Sequence, residues 1–192
     1  VSIMTTHYLD ITLLPDPEFS QAHLMGALYS KLHRILVQLN SADIGVSFPH
    51  YRLEKHSVGH VLRLHRTESA LEDLMTESWL TGMRDHTNIS AIQAVPAGAT
   101  QGLVQRRQFK TNVERLRRRR MRRKGETAQE AAAAIPASID RTPKVPYIIL
   151  RSSSTGQPFS MFIVQSVEPA TEQAGSGFNT YGLSAGSRVP FF

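Results

Sequence analysis

His7-Tyr-Leu-Asp-Ile-Thr-Leu-Leu14 alternates, with Leu9, Ile11 and Leu13 on one face, and Pro15-Asp-Pro17 closes it. Alternation of this length is the pattern of a half-buried strand. The period then changes. From Phe19 to Leu39, apolar residues recur at Leu24, Leu28, Leu32, Ile35 and Leu39, the spacing of an amphipathic helix. Ile44-Gly-Val-Ser-Phe-Pro49 and the segment His60 to His65 follow as two short strands. Glu68 to Met83 is mostly helical and carries Leu71, Leu74, Trp79 and Leu80, and Ile89 to Val95 is again extended.

The order β-α-β-β-α-β predicts an α+β chain that begins with a ferredoxin-like (RRM-like) domain over residues 1–96. Val1-Ser-Ile before Met4 is given no weight in it. Pro96-Ala-Gly-Ala-Thr-Gln-Gly102 is built of small residues, so residues 97–103 are expected to be a linker and 104–192 a second domain. In that second part Val104 to Lys110 reads as extended, and a weaker helix runs from Thr127 to Ile135 until Pro136 stops it. Tyr147 to Arg151 and Phe159 to Val164 read as strands around the turn Ser152-Ser-Ser-Thr-Gly-Gln-Pro158. The tail from Gly175 is rich in Gly and Ser with interspersed aromatics.

The most charged stretch is Thr111-Asn-Val-Glu-Arg-Leu-Arg-Arg-Arg-Arg-Met-Arg-Arg-Lys-Gly125, with seven arginines between Arg115 and Arg123. Thr111 and Glu114 have capping-box spacing and Gly125 is a helix stop. On a helix, Arg115, Arg118, Arg119 and Arg122 share a stripe about 100° wide, with Arg123 at its edge. Leu116 and Met121 are too few to form a core face. Such a helix calls for a polyanion, and nucleic acid is the natural one. Charge bookkeeping agrees. The chain of 192 residues has a formal charge of +6, but residues 104–124 alone carry eleven Lys/Arg and one Glu, a net of +10. The remainder sums to −4, a mildly acidic body with one basic arm whose binding should depend steeply on salt.

Composition also excludes. Without cysteine there is no disulfide framework, thiol nucleophile or thiolate metal site. With no apolar run of membrane-spanning length and no visible signal peptide, a soluble, cytoplasmic protein is expected. All eight histidines lie at or before His86. Any histidine acting on a polyanion held by the basic arm must therefore join the two halves of the chain. His33 lies on the shoulder of the first helix's apolar stripe, a position that suits an ordinary flank histidine as well as a catalytic one. His60 and His65 match no usual ligand spacing, and Asp10, Asp16 and Glu18 are scattered, so no metal site is expected. Ser152, Ser153 and Ser154 could be turn residues alone.

Several separated stretches, in order, resemble the CRISPR repeat-processing endoribonucleases of subtype I-F systems. They are His7-Tyr-Leu-Asp-Ile11, Pro15-Asp-Pro-Glu-Phe19, Lys31-Leu-His33, Ile44-Gly-Val-Ser-Phe-Pro49, Glu114-Arg-Leu-Arg-Arg-Arg119 with Met121-Arg-Arg123, Leu150-Arg-Ser152, Ser154-Thr-Gly-Gln157 with Phe159, and Tyr181-Gly-Leu-Ser184. The resemblance implies a ferredoxin-like domain followed by an RNA-binding domain with an arginine-rich helix. It implies cleavage of precursor CRISPR RNA at the 3′ base of the repeat stem-loop, without metal or cofactor. The RNA's own 2′-hydroxyl attacks, leaving a 2′,3′-cyclic phosphate, and the enzyme stays on the hairpin within a type I-F surveillance complex.

By the same resemblance His33 is the catalytic histidine, Ser152 holds the attacking 2′-hydroxyl, Tyr181 orients the histidine, and Ser154 is a second serine near the cut. An imidazole of ordinary pKa, near about 6.5, can take that hydroxyl's proton or protonate the leaving oxygen. Arg106 and Gln108 match residues that read bases at the foot of the stem, and Phe159 an aromatic that stacks on the last base pair. Arg115 lies in the matched helix, and Arg118, Arg119, Arg122 and Arg123 match the residues that enter the hairpin's major groove. The chain departs from the family pattern in adding Arg107 and Phe109 around the base-reading pair and in its alanine-rich residues 128–134. The alternative reading is a non-catalytic hairpin-RNA-binding subunit; a general basic RNA-binding protein would not account for the acidic body.

Overall fold

The structure, a computed structural model, describes residues 4–109, 113–136, 143–152, 154–167 and 177–192, with the side chain of Arg115 also outside the description. The Thr111 half of the expected capping box and Ser153 of the expected turn therefore lie outside the described residues. The chain is a mixed α/β protein with antiparallel sheets and four α-helices among the described residues. Among those residues no helix is long and apolar enough to cross a membrane.

Strand β1 (His7–Leu13) is followed by α1 (Gln21–Gln38), β2 (Gly45–Ser47), β3 (Val61–Arg66), α2 (Glu68–Thr76), β4 (Thr87–Ile89) and β5 (Gln93–Ala94). The sheet runs β2-β3-β1-β4, with β5 also on β1, and every pairing is antiparallel. Alternation on β1 does what it should: Leu9, Ile11 and Leu13 are buried with Leu24, Leu28, Leu32 and Ile35 of α1. Ser20 caps α1, its hydroxyl accepting the His23 amide at 3.3 Å.

Two expected elements are broken. The helix expected to reach Met83 ends at Thr76, and Trp79 and Leu80 are buried from a 3₁₀ turn, Ser78–Leu80. A continued helix would turn Leu80 about 180° from Leu71, so no single helix buries both. The strand expected over Ile89 to Val95 is interrupted because Ser90 binds Asp10 through both its amide and its hydroxyl, at 2.9 Å each. Ile89 pairs with Ile11 and Gln93 with Tyr8, so this edge holds one residue more than β1, as a bulge does.

Strand β6 (Thr100–Arg107) takes in Thr100 to Leu103 of the stretch read as a linker. It pairs at its start with β9 (Val189–Phe191) and further on with β8 (Pro158–Ser166), which pairs in turn with β7 (Tyr147–Arg151). By compactness, residues 1–107 and 145–192 form one unit and 108–144 another. Within the larger unit the Gln165 side chain holds Phe48 at both backbone atoms, 2.7 and 3.2 Å, a side chain completing the edge of a strand. Segments far apart in sequence thus share one core.

In the smaller unit α3 (Val113–Lys124) carries the arginines and α4 (Ala128–Ala134) follows Gly125, whose φ of +67° ends α3. Helix α4 opens on a capping box, Thr127 with Glu130. Arg120 makes a two-point ion pair with Glu126, and Arg117 donates to the Ile135 carbonyl at 3.0 Å and meets Glu114 at 3.3 Å. Arg118, Arg119, Arg122 and Arg123 are without a carboxylate partner among the described residues, and all but Arg122 and Arg123 of the last turn lie mid-helix.

On the sheet face away from the α1 core, Arg63 is largely buried and grips Asp10 at 2.7 and 2.8 Å. The rings of Tyr8 and Phe192 cover its guanidinium at 4.4 and 4.1 Å. His65 is wholly buried, with Nε2 2.8 Å from the Ser47 hydroxyl and Nδ1 without a partner among the described residues. Burial, and then the Arg63 charge, lower its pKa to about 3. An unfolded histidine titrates near about 6.5. Between these values the unfolded chain binds a proton that the native chain refuses, so this contribution is full above about pH 6.5 and is lost as pH falls towards about 3. Urea unfolding across that window should show stability rising with pH, and His65→Gln should flatten the rise.

Candidate active site

Helix α1 buries Tyr29 completely and leaves His33, one turn later, half-exposed. The shoulder position expected from periodicity is where His33 lies. Its surroundings come from the other end of the chain. His33 Nδ1 is 2.8 Å from the Thr180 carbonyl oxygen. A carbonyl can only accept, so Nδ1 carries the proton and the neutral ring keeps its lone pair on Nε2. The ring also stacks on Tyr181, with centroids 3.7 Å apart and planes 5° from parallel. One hydrogen bond and one stacked face together fix both tautomer and ring plane.

The loop that does this is itself fixed. The Asn179 carboxamide oxygen accepts the amides of Tyr181 and Leu183 at 2.9 and 3.1 Å, an Asx-type turn. Gly182 has φ +72°, and a Cβ there would stand 2.5 Å from a Val46 methyl. Its carbonyl accepts the Val46 amide at 2.9 Å. The Tyr29 hydroxyl donates to the Tyr181 carbonyl at 2.6 Å, and burial holds its pKa well above the usual phenol value, so it stays a donor. Its ring lies nearly parallel to Tyr181, 6.3 Å away.

Ser152 and Ser154 lie in the β7–β8 turn. The Ser152 amide donates to the Gln157 carbonyl at 2.9 Å, and the Gly156 amide to the Ser152 carbonyl at 2.8 Å. The two serine hydroxyls are 3.1 Å apart, and Ser152 Oγ also accepts the Thr155 amide at 3.3 Å. These serines do serve as turn residues, yet Ser152 is not enclosed by the turn. A cleft of about 910 Å³ separates α1 from β7, and His33, Ser152 and Tyr181 all line it. Close approach at one point lets the hairpin reach the helix: Gly26 lies against the Ile149 carbonyl, where a side chain would clash.

The candidate residues for binding are placed as follows. Arg106, exposed on β6, extends over the Phe159 ring, 5.5 Å from its centroid, while Phe159 is half-buried at the start of β8. Gln108 is exposed in the smaller unit. Arg118, Arg119, Arg122 and Arg123 are exposed on α3, and the Arg115 side chain is outside the description. Among the described residues no three His, Asp or Glu side chains converge as metal ligands would. Sequence reasoning missed Tyr29, Asn179 and the Thr180 carbonyl. Asn179 carried a readable signal, an Asx residue three before Gly182 at the start of a turn; a backbone carbonyl carries none. Arg34 and Arg151, the cleft's two arginines, were also passed over.

A family model described as CRISPR-associated protein (Cas_Csy4) matches residues 8–192. A CRISPR-associated endonuclease Cas6/Csy4 of Pseudomonas aeruginosa (strain UCBPP-PA14) is 44% identical over 186 residues, covering 97% of this chain and 99% of its own. One of the same description from Escherichia coli (strain UTI89 / UPEC) is 37% identical over the same share of each chain.

If Tyr29 holds the histidine-bearing arrangement together, Tyr29→Phe strips the part-buried Tyr181 carbonyl of its donor. Such a loss costs about 1–3 kcal/mol. Equilibrium urea unfolding should record a loss of that size.

Proposed function

The chain belongs to the CRISPR-associated Csy4 family, and from that membership we propose that it is a metal-independent endoribonuclease that binds the stem-loop of CRISPR repeat RNA. It cuts precursor CRISPR RNA at the 3′ base of the stem. The observation that carries this reading is the His33 hydrogen bond to Thr180, which leaves Nε2 as a free base in the cleft that Ser152 shares.

Nε2 of His33 takes the proton of a ribose 2′-hydroxyl. The 2′-oxygen bonds to the adjacent phosphorus, and the bond from phosphorus to the 5′-oxygen breaks. A proton from the imidazolium or from water completes the leaving 5′-hydroxyl, and a 2′,3′-cyclic phosphate remains. Because nucleophile and electrophile belong to one strand, alignment is a large part of the acceleration. Ser152 sets the 2′-oxygen's angle through its hydroxyl, and Ser154, hydrogen-bonded to it, limits its rotation. Tyr181 keeps the imidazole in plane.

Recognition is divided. Arg106 and Gln108 read base edges at the foot of the stem, where planar paired donors and acceptors discriminate best. Phe159 stacks on the last base pair. Arg115, Arg118, Arg119, Arg122 and Arg123 on α3 bind the hairpin by its phosphates and shape. The strand order β2-β3-β1-β4 within a β-α-β-β-α-β run supports a ferredoxin-like assignment for residues 1–96, with residues 104–192 supplying most RNA contacts. Since these contacts all lie upstream of the cut, the product hairpin stays bound and the protein becomes a subunit of a type I-F surveillance complex.

Repeat stem-loop RNA incubated in excess EDTA should be cut once, at the 3′ foot of the stem, leaving a cyclic phosphate. Tight binding with no cut, with or without added metal, would leave a hairpin-binding subunit instead. His33→Ala should abolish cutting and keep hairpin affinity; joint loss of both would make His33 structural. Replacing Arg119 and Arg122 with Ala should weaken binding and lower the salt slope by about one for each arginine removed.

A further inference from the structure

The cleft between α1 and β7 departs from the rest of the molecule in charge. Outside residues 104–124 the chain sums to −4, yet among the described residues the cleft is lined by His23, His33, Arg34 and Arg151 and by no Asp or Glu. Of these nitrogen-bearing side chains only His33 has been given a task. The reaction creates a need for another. As the 2′-oxygen bonds to phosphorus and before the bond to the 5′-oxygen has broken, the non-bridging oxygens gather a second negative charge. A histidine that has accepted the 2′-proton supplies one positive charge, and serine hydroxyls supply none.

We propose that Arg151 is a catalytic residue of this reaction, its guanidinium donating to the non-bridging oxygens of the scissile phosphate. The inference rests on the endoribonuclease reading above. Arg151 ends β7 and is followed directly by Ser152. Its Nη1 donates to the Gly156 carbonyl at 3.3 Å, across the turn that carries Ser152 and Ser154. Gly156 has φ +68° and donates to the Ser152 carbonyl, so the guanidinium braces the part of the turn on which Ser152 depends. That contact uses one of five N–H groups. No carboxylate pairs with Arg151 among the described residues. The side chain is therefore anchored and left with donors in the fork geometry that suits two phosphate oxygens.

Arg34 is the other candidate and fits less well. It also borders an adjoining hollow with Lys31, Glu77 and Trp79, where a carboxylate is present. Among the described residues the cleft that Arg151 lines holds none. No proton moves through Arg151: the 2′-proton goes to His33, and the leaving oxygen takes its proton from the imidazolium or water. Its contribution is electrostatic.

The test is single-turnover cleavage by the full chain, in EDTA, of a stem-loop RNA that extends past the cut. Arg151→Gln keeps an amide donor for the Gly156 carbonyl and removes the charge. It should slow the chemical step by about 10²–10³-fold, the usual loss for one donor to a developing oxyanion, while product-hairpin affinity stays at the wild-type value. Arg151→Ala should regain rate when guanidinium salt is added at millimolar concentration, and His33→Ala should not. Substituting sulfur for each non-bridging oxygen in turn should slow wild type unequally, and Arg151→Gln should erase the inequality. An undiminished rate in Arg151→Gln, or a loss of hairpin affinity in step with the rate, overturns the assignment and leaves Arg151 a turn brace or a binding residue. A wild-type chain that does not cut overturns the endoribonuclease reading itself, and this role with it.

Discussion

The setting of His33 in the candidate active site depends on one docked loop. Asn179 to Ser184 returns from the end of the chain and is hydrogen-bonded to α1 through Tyr29, to β2 through Val46 and to β6 through the Ser184 amide and Val104 carbonyl at 2.7 Å. Most of these bonds use backbone groups, so the loop is held by geometry that few side-chain changes reach. The His33 tautomer follows from it, because the Thr180 carbonyl is presented to Nδ1 and to nothing else on the ring. An imidazole on a mobile loop would lose that definition. Here the imidazole is on a core helix and the group that orients it is locked to the same core.

Arginines on α3 divide by the same logic of local partners. Arg117 and Arg120 are engaged within their own unit by Ile135, Glu114 and Glu126. These bonds tie α3 to the turn and to α4, and they remove two charges from any binding role. Among the described residues the arginines of α3 left over are Arg118, Arg119, Arg122 and Arg123. A run that looks redundant in sequence is therefore two sets, one that builds the helix pair and one that is available to a polyanion. Exposed ion pairs are worth little in stability, so the pairing matters more for where charge is presented than for holding the fold.

Buried polar groups on the opposite sheet face show a different economy. Arg63 is compensated by Asp10 and by the Tyr8 and Phe192 rings, whereas His65 is kept neutral with one nitrogen unpartnered among the described residues. The charged group was given partners and the titratable one was denied its charge. Phe192 reaches this face and Tyr181 reaches His33, so the C-terminal segment is bound both to the first sheet and to α1.

By itself the sequence determined what periodicity and local chemistry can encode. Alternation placed Leu9, Ile11 and Leu13 inside, the helical period placed Leu24 through Ile35 and left His33 on the shoulder, and the arginine run with its glycine stop marked α3. Family resemblance then supplied names for roles at His33, Ser152 and Tyr181. Tertiary structure decided what depends on distant partners. Leu80 broke α2 because the core needed it from another direction, Ser90 split an edge strand by binding Asp10, and Thr100 to Leu103 became strand because β9 and β8 offered hydrogen bonds on that edge. It also decided that residues 145–192 pack with residues 1–107 in one unit. Most of all it decided the hydrogen bond at His33 Nδ1. The partner is a main-chain oxygen 147 residues away in sequence, and every residue has such an oxygen, so no pattern of side chains could announce it.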